Sequence, residues 1–231
     1  ARTEGLGARV AADLASWGRT MVSPRALAEG FPRRPPRLGR TGWLTTAAVA
    51  VLAGLSMALL DRSLALWLHR SYDPSGLVKA LSDLGKSHWY LLGALAFYLL
   101  WPSDLGRARA SLLFWSVAAS GILVNVVKVA LARYRPELLL EKGLYGFDLL
   151  RVRADHLSFP SGHATTAFSL AMCLALFWPR GRWVFFAAAT GIAATRVLLL
   201  SHYPSDVLVG AWLGVVTVLW LRDNKGQPIR P

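Results

Sequence analysis

Charged residues vanish from the chain in long blocks and return in short ones. Nearly uninterrupted apolar runs cover Trp43 to Leu60, Trp89 to Trp101, Ala110 to Ala132, Gly162 to Trp178, Trp183 to Leu200 and Val207 to Leu221. Most approach the about 17 to 25 residues that carry a helix across a bilayer. The second run is short and reaches that length only by borrowing Leu81 to His88. Trp43, Trp89, Tyr90, Trp101, Trp178, Trp183 and Trp220 stand near the ends of runs, where an interfacial aromatic belt forms. The pattern predicts an all-α integral membrane bundle of about six transmembrane helices over residues 43–221, with tails at 1–42 and 222–231.

Composition agrees with that pattern. Of 231 residues, 54% are hydrophobic, above the level of an ordinary soluble domain. The formal net charge of +13 would suit nucleic acid, but the Lys and Arg lie in tails and loops beside apolar runs, so a membrane surface is the expected partner and nucleic acid is not. The single cysteine, Cys173, sits inside an apolar run without a partner; disulfide scaffolds and thiolate metal sites are excluded.

The tail Ala1 to Gly42 is Arg-rich. Its one apolar phrase, Leu6 to Trp17, suits either an amphipathic helix on the membrane surface or a partly ordered segment, and Pro32, Pro35 and Pro36 mark a linker. No apolar core follows the early charges at the distance a cleavable signal peptide needs. Positive residues are dense before Trp43 and recur at Arg107, Arg109, Arg180, Arg182, Arg222, Lys225 and Arg230. With six spans these share one side, which the positive-inside tendency makes cytoplasmic, together with both termini. The opposite, outer side then carries the loops Asp61 to Ser87, Arg133 to Ser161 and Ser201 to Ser205.

Polar clusters at the ends of runs all fall on that outer side. Lys128 and Arg135 are seven residues apart, close to two helical turns, which places two cations on nearly the same face at the outer end of span three before Pro136 ends the helix. Such a pair can hold phosphate oxygens, the Arg as a planar fork and the Lys as a movable charge. Arg133 and Lys142 are read as headgroup-facing cations. Pro160, Ser161, Gly162 and His163 open span four, and free backbone N–H groups at such an end bind anions, although an N-cap turn alone explains most of the string. His163 can hand a proton to a leaving oxygen. Arg196 closes span five and is followed by His202 and Asp206, with Pro204 placed as a first helical residue. A carboxylate there can fix one imidazole nitrogen and expose the other as nucleophile or base, while a lone His beside an Asp is more often structural.

Together the segments read K-x6-R-P (Lys128, Arg135, Pro136), P-S-G-H (Pro160 to His163) and R-x5-H-x3-D (Arg196, His202, Asp206). This resembles the type 2 phosphatidic acid phosphatase family of integral membrane lipid phosphatases, over about Trp43 to Leu221. The resemblance implies that His202 attacks phosphorus to form a phosphohistidine, that Asp206 orients His202, and that His163 protonates the departing lipid oxygen and then helps activate water. It implies that Lys128, Arg135, Ser161, Gly162 and Arg196 hold the phosphoryl oxygens. No metal or other cofactor enters this scheme. Thr195 stands where the family commonly has Ser, and a hydroxyl is kept.

The implied substrates are lipid phosphomonoesters or diphosphates, among them undecaprenyl diphosphate, phosphatidylglycerophosphate, phosphatidic acid and lipid A 1-phosphate. Glu137 to Leu157 is expected to shape the entrance, and Ser71 to His88 to pack at the membrane interface. Phosphoryl transfer to another lipid would use the same residues, and a non-catalytic lipid-phosphate transporter or binder would use the cations alone. The setting implied is a bacterial inner membrane with the site facing the periplasm. Gly210 and Gly214 offer a G-x-x-x-G surface that more often serves packing within one chain than a dimer, so the sequence leaves oligomeric state open.

Overall fold

The computed structural model describes residues 39–100 and 103–225, and the expected tail at 1–42 lies almost wholly outside them. Helix α1 (Arg40–Leu55) passes through a π-helical stretch, Ser56–Leu60, into α2 (Asp61–Ser71). The first expected span therefore does not stop at Leu60. Asp61 ends the apolar run, but a carboxylate can continue a helix when its side chain is partnered, and Asp61 is.

Short α3 (Gly76–Asp83) precedes α4 (Ser87–Leu100) and long α5 (Asp104–Leu131). Between α3 and α4 the backbone turns at Leu84 to Lys86, so the second apolar run does not extend its helix by borrowing Leu81 to His88. Helix α6 (Pro136–Lys142) lies within the following loop, and α7 (Gly162–Phe177), α8 (Arg182–Leu198) and α9 (Pro204–Lys225) complete the order. The helix through α1 and α2, α5 and α9 are long and apolar enough to cross a membrane, and α4 and α7 are shorter apolar helices. The protein is an integral membrane protein.

Helix α7 is the hub, packing against α8, α9 and α5. Its inward positions are small: Ala164, Ala167, Ala171 and Cys173 are all buried. Small faces let helix backbones approach closely, which is how helices associate where lipid tails already satisfy apolar side chains. Gly210 and Gly214 of α9 complete the fit, since a Cβ on either would lie 2.5 Å from the Ser161 carbonyl oxygen or 2.4 Å from that of Thr165. The G-x-x-x-G surface thus packs inside the chain. Hydroxyls tie the same seam: Thr165 Oγ1 donates to the Gly210 carbonyl at 2.9 Å and Ser169 Oγ to that of Gly214 at 3.3 Å. Leu112, Cys173, Phe177, Val218 and Leu221 fill the core toward the other end. By contrast α1 is largely exposed along its length, as a lipid-facing helix is.

Candidate active site

The polar clusters converge at one end of the bundle. Lys128 lies in the last turn of α5, 8% exposed, and its Nζ donates to the Leu157 carbonyl at 2.6 Å. Helix α5 stops at Leu131, and Ala132 follows in the left-handed region with φ 44. Arg135 is therefore not on the face of Lys128 but is the residue before α6, where Pro136 takes the first position. The proline starts a helix instead of ending one. What places Arg135 is the loop, through its backbone N–H donated to the Asp155 carbonyl at 2.9 Å.

Ser161 caps α7: its hydroxyl accepts from the Ala164 N–H, and its own N–H donates to the Asp206 carbonyl at 2.9 Å. Gly162 and His163 follow in the first turn and, with Lys128, Gly85 and Lys86, line a cavity of about 240 Å³. Gly85 is pressed against His163, so that a Cβ there would lie 2.7 Å from the imidazole Cδ2. Arg196 ends α8; its Nη1 donates to Ser82 Oγ of α3 at 2.6 Å, and its carbonyl accepts from Ser201 and His202 N–H at 3.0 and 3.2 Å. The Nε atoms of both Arg135 and Arg196 are buried and carry no hydrogen bond.

His202 is buried in the turn between α8 and α9, with Nδ1 3.6 Å from Asp206 Oδ2 and without a hydrogen-bond partner. That is half an ångström or so beyond a hydrogen bond, and such pairs often close only around substrate. Burial above all pushes the His202 imidazole down to about 4; Lys128 and Arg135 act the same way and Asp206 opposes them. The ring is therefore neutral at pH 7, as a nucleophile must be. Asp206 sits in the first turn of α9, as Pro204 at the helix start implies. Its Oδ2 accepts from Ser158 Oγ at 2.6 Å and from the Tyr203 N–H at 2.9 Å.

The strongest support for Asp206 comes from Arg133. One guanidinium nitrogen bonds Asp206 and Ser205, the other bonds Asp61 at 2.8 Å and Tyr145 at 3.0 Å. Arg133 is 1% exposed and lies over Tyr203, Tyr145 and Phe147 with ring centroids 4.5 to 5.5 Å away. Asp61, fully buried, also accepts from Ser56 and from the hydroxyl and N–H of Ser205. Sequence reasoning set Arg133 aside as a headgroup-facing cation; it faces inward because the left-handed turn at Ala132 redirects the chain. Tyr145 and Phe147 likewise stack on Arg133 in this cage, Phe147 with its outer side exposed, whereas Leu149 and Leu150 of the same loop are more exposed still. No cluster of three or more metal-ligating side chains occurs among the described residues.

The PAP2 superfamily pattern matches residues 109–226. The lipid A 1-phosphatase of Rhizobium etli is 33% identical over 195 residues, 77% of this chain and 82% of that protein. The decaprenylphosphoryl-5-phosphoribose phosphatase of Mycobacterium tuberculosis is 30% identical over 196 residues, 77% of this chain and 90% of that one. The chain belongs to the PAP2 superfamily. It is a phosphoric ester hydrolase acting on lipid phosphates. In fold, this PAP2 chain is similar to Aquifex aeolicus LpxE, with TM-score 0.57 and 22% identity over 71% of this chain and 95% of that one. It is equally similar to the transmembrane PAP2 type phosphatidylglycerolphosphate phosphatase of Bacillus subtilis, with TM-score 0.58 and 19% identity over 80% and 96%. Asp61 and Arg133, which join Asp206 to the first helix of this PAP2 chain, had one legible signal: a lone carboxylate at the end of an apolar run needs a buried cation.

Proposed function

We propose that this phosphatase releases phosphate from a phosphomonoester or diphosphate of an amphiphilic lipid through a covalent phosphohistidine on His202. The reading rests on one observation: a neutral, buried His202 beside an Asp206 that Arg133 holds ionised and oriented, within the field of Lys128 and Arg135. His202 Nε2 forms a bond to phosphorus as the bond to the lipid oxygen breaks, and His163, which takes up a proton from solvent as the anionic phosphate enters beside it, gives that oxygen its proton. A water then attacks phosphorus, His163 takes its proton, and inorganic phosphate leaves with His202 restored. Asp206 needs to close only a short gap to hold the Nδ1 proton as positive charge builds on the ring.

Lys128, Arg135, Arg196, the Ser161 hydroxyl and the Gly162 backbone N–H hold the phosphoryl oxygens, and the unpartnered Nε atoms of Arg135 and Arg196 are donors already stripped of water. No step calls for a metal. Relatives named lipid A 1-phosphatase favour the 1-phosphate of lipid A as substrate, ahead of prenyl-linked and glycerol-linked phosphates. Six membrane spans with both termini cytoplasmic would put this end of the bundle in the periplasm.

The test is phosphate release by purified protein in detergent and chelator, across lipid A, phosphatidylglycerophosphate, phosphatidic acid and undecaprenyl diphosphate, with His202→Ala alongside. Release that resists chelator, is fastest on lipid A and falls by about 10⁴-fold or more in the variant is expected. Full activity in His202→Ala would exclude the phosphohistidine, and a different fastest lipid would replace the substrate.

A further inference from the structure

The end of the bundle away from His202 holds a cavity of about 530 Å³ between α4, α5 and α7. Its walls are apolar, with Gly93 and Phe97 from α4, Leu113 from α5 and Leu174 and Phe177 from α7, and one cation, Arg109, opens into it. Arg109 is one turn inside α5, whereas Lys128 is in its last turn, about 28 Å further along the axis at 1.5 Å per residue. The two sites cannot share a headgroup.

The Arg109 guanidinium rests 5.5 Å from the Phe177 ring centroid and 5.7 Å from that of Trp178. Its Nε is buried without a hydrogen bond, and no carboxylate among the described residues pairs with it. A guanidinium in apolar surroundings wants an anion, and stacked aromatic rings orient its fork without neutralising it. Among the described residues the wall supplies no acid, so the anion arrives with its own apolar body. A membrane phospholipid has that composition, a phosphodiester for the fork and an acyl chain for the channel. Arg107, Arg180 and Arg182 at the same end add to the attraction for an anionic headgroup.

We propose that Arg109 and the channel between α4, α5 and α7 form a binding site for one anionic phospholipid of the surrounding leaflet, separate from the phosphate-hydrolysing site. The lipid lies with its phosphate on Arg109 and one chain between Gly93 and Leu174, joining α4 to α7.

Native mass spectrometry of the detergent-solubilised chain, titrated with phosphatidylglycerol and with phosphatidylcholine of identical chains, tests this. The wild-type protein should bind one phosphatidylglycerol roughly tenfold more tightly than phosphatidylcholine. Arg109→Gln should erase that preference. A Cβ at Gly93 meets nothing within 4 Å, so the side chain of Gly93→Leu can start into the channel and should weaken both lipids. Arg196→Ala, altered at the other end, should bind as wild type does. An undiminished preference in Arg109→Gln, or loss of binding in Arg196→Ala, would overturn the site. Phosphate release by Arg109→Gln is expected to continue, which separates failure of this site from failure of the catalytic reading.

Discussion

Arg133 and Arg196 stand at the same end of the bundle, and their surroundings use them in opposite ways. Arg133 spends its donors on Asp61, Asp206, Ser205 and Tyr145 and is sealed beneath aromatic rings. Arg196 is fastened by a single side-chain bond from one terminal nitrogen to Ser82, whereas Arg133 has both terminal nitrogens bonded; a buried, unpartnered Nε is common to Arg133, Arg135 and Arg196. An arginine whose two terminal nitrogens are both bonded to buried partners is part of the frame. One with a terminal nitrogen still unspent is ready for an anion. Residue type alone does not separate the two; the state of the terminal nitrogens does.

Breaking the frame should cost most. Arg133→Leu leaves Asp61 and Asp206 buried without their shared cation, a loss of about 3–5 kcal/mol of stability. We expect a large drop in the thermal unfolding midpoint, with little recovery in Arg133→Lys, because an ammonium cannot fork between two carboxylates. A midpoint unchanged in both variants would remove Arg133 from the frame.

Removing the ready donor should leave the fold and take the chemistry. Arg196→Ala is expected to unfold close to the wild-type temperature while phosphate release falls by about 10²–10³-fold. If stability and activity fell together, the contrast with Arg133 would collapse.

Acid gives the most selective probe. The imidazole of His202 has its proton affinity depressed from 6.5 to about 4, chiefly by burial. Between those values the unfolded chain binds a proton that the folded chain refuses, so stability present above about pH 6.5 is lost as pH falls toward about 4. The unfolding midpoint of the wild-type protein should therefore decline more steeply through that window than that of His202→Gln. Parallel curves would show that His202 titrates freely.

Much of this was legible in the chain. Lys128, His163 and Arg196 betray themselves by interrupting apolar runs, and His202 and Asp206 by their spacing from Arg196 around Pro204. Arg135 was found by its motif but set wrongly, because hydropathy cannot see the left-handed Ala132 that ends α5 early. Arg133 was missed since its two acids lie 72 and 73 positions away and only tertiary structure unites them. The second apolar run failed to borrow its neighbours for a related reason: a turn at Leu84 to Lys86 was needed to set Gly85 against His163.

The π-helical stretch Ser56–Leu60 fits one more residue into a turn than an α-helix does. Everything before it is thereby rotated by about 100° relative to everything after it. The chain above the bulge can present its apolar side to lipid while Asp61, just below, points inward to Arg133. Deleting one residue there would yield a more regular helix and a misdirected carboxylate. The first helix is thus indexed like a two-part key, in which the length of a single turn decides whether the frame around Asp206 can be locked from a distance.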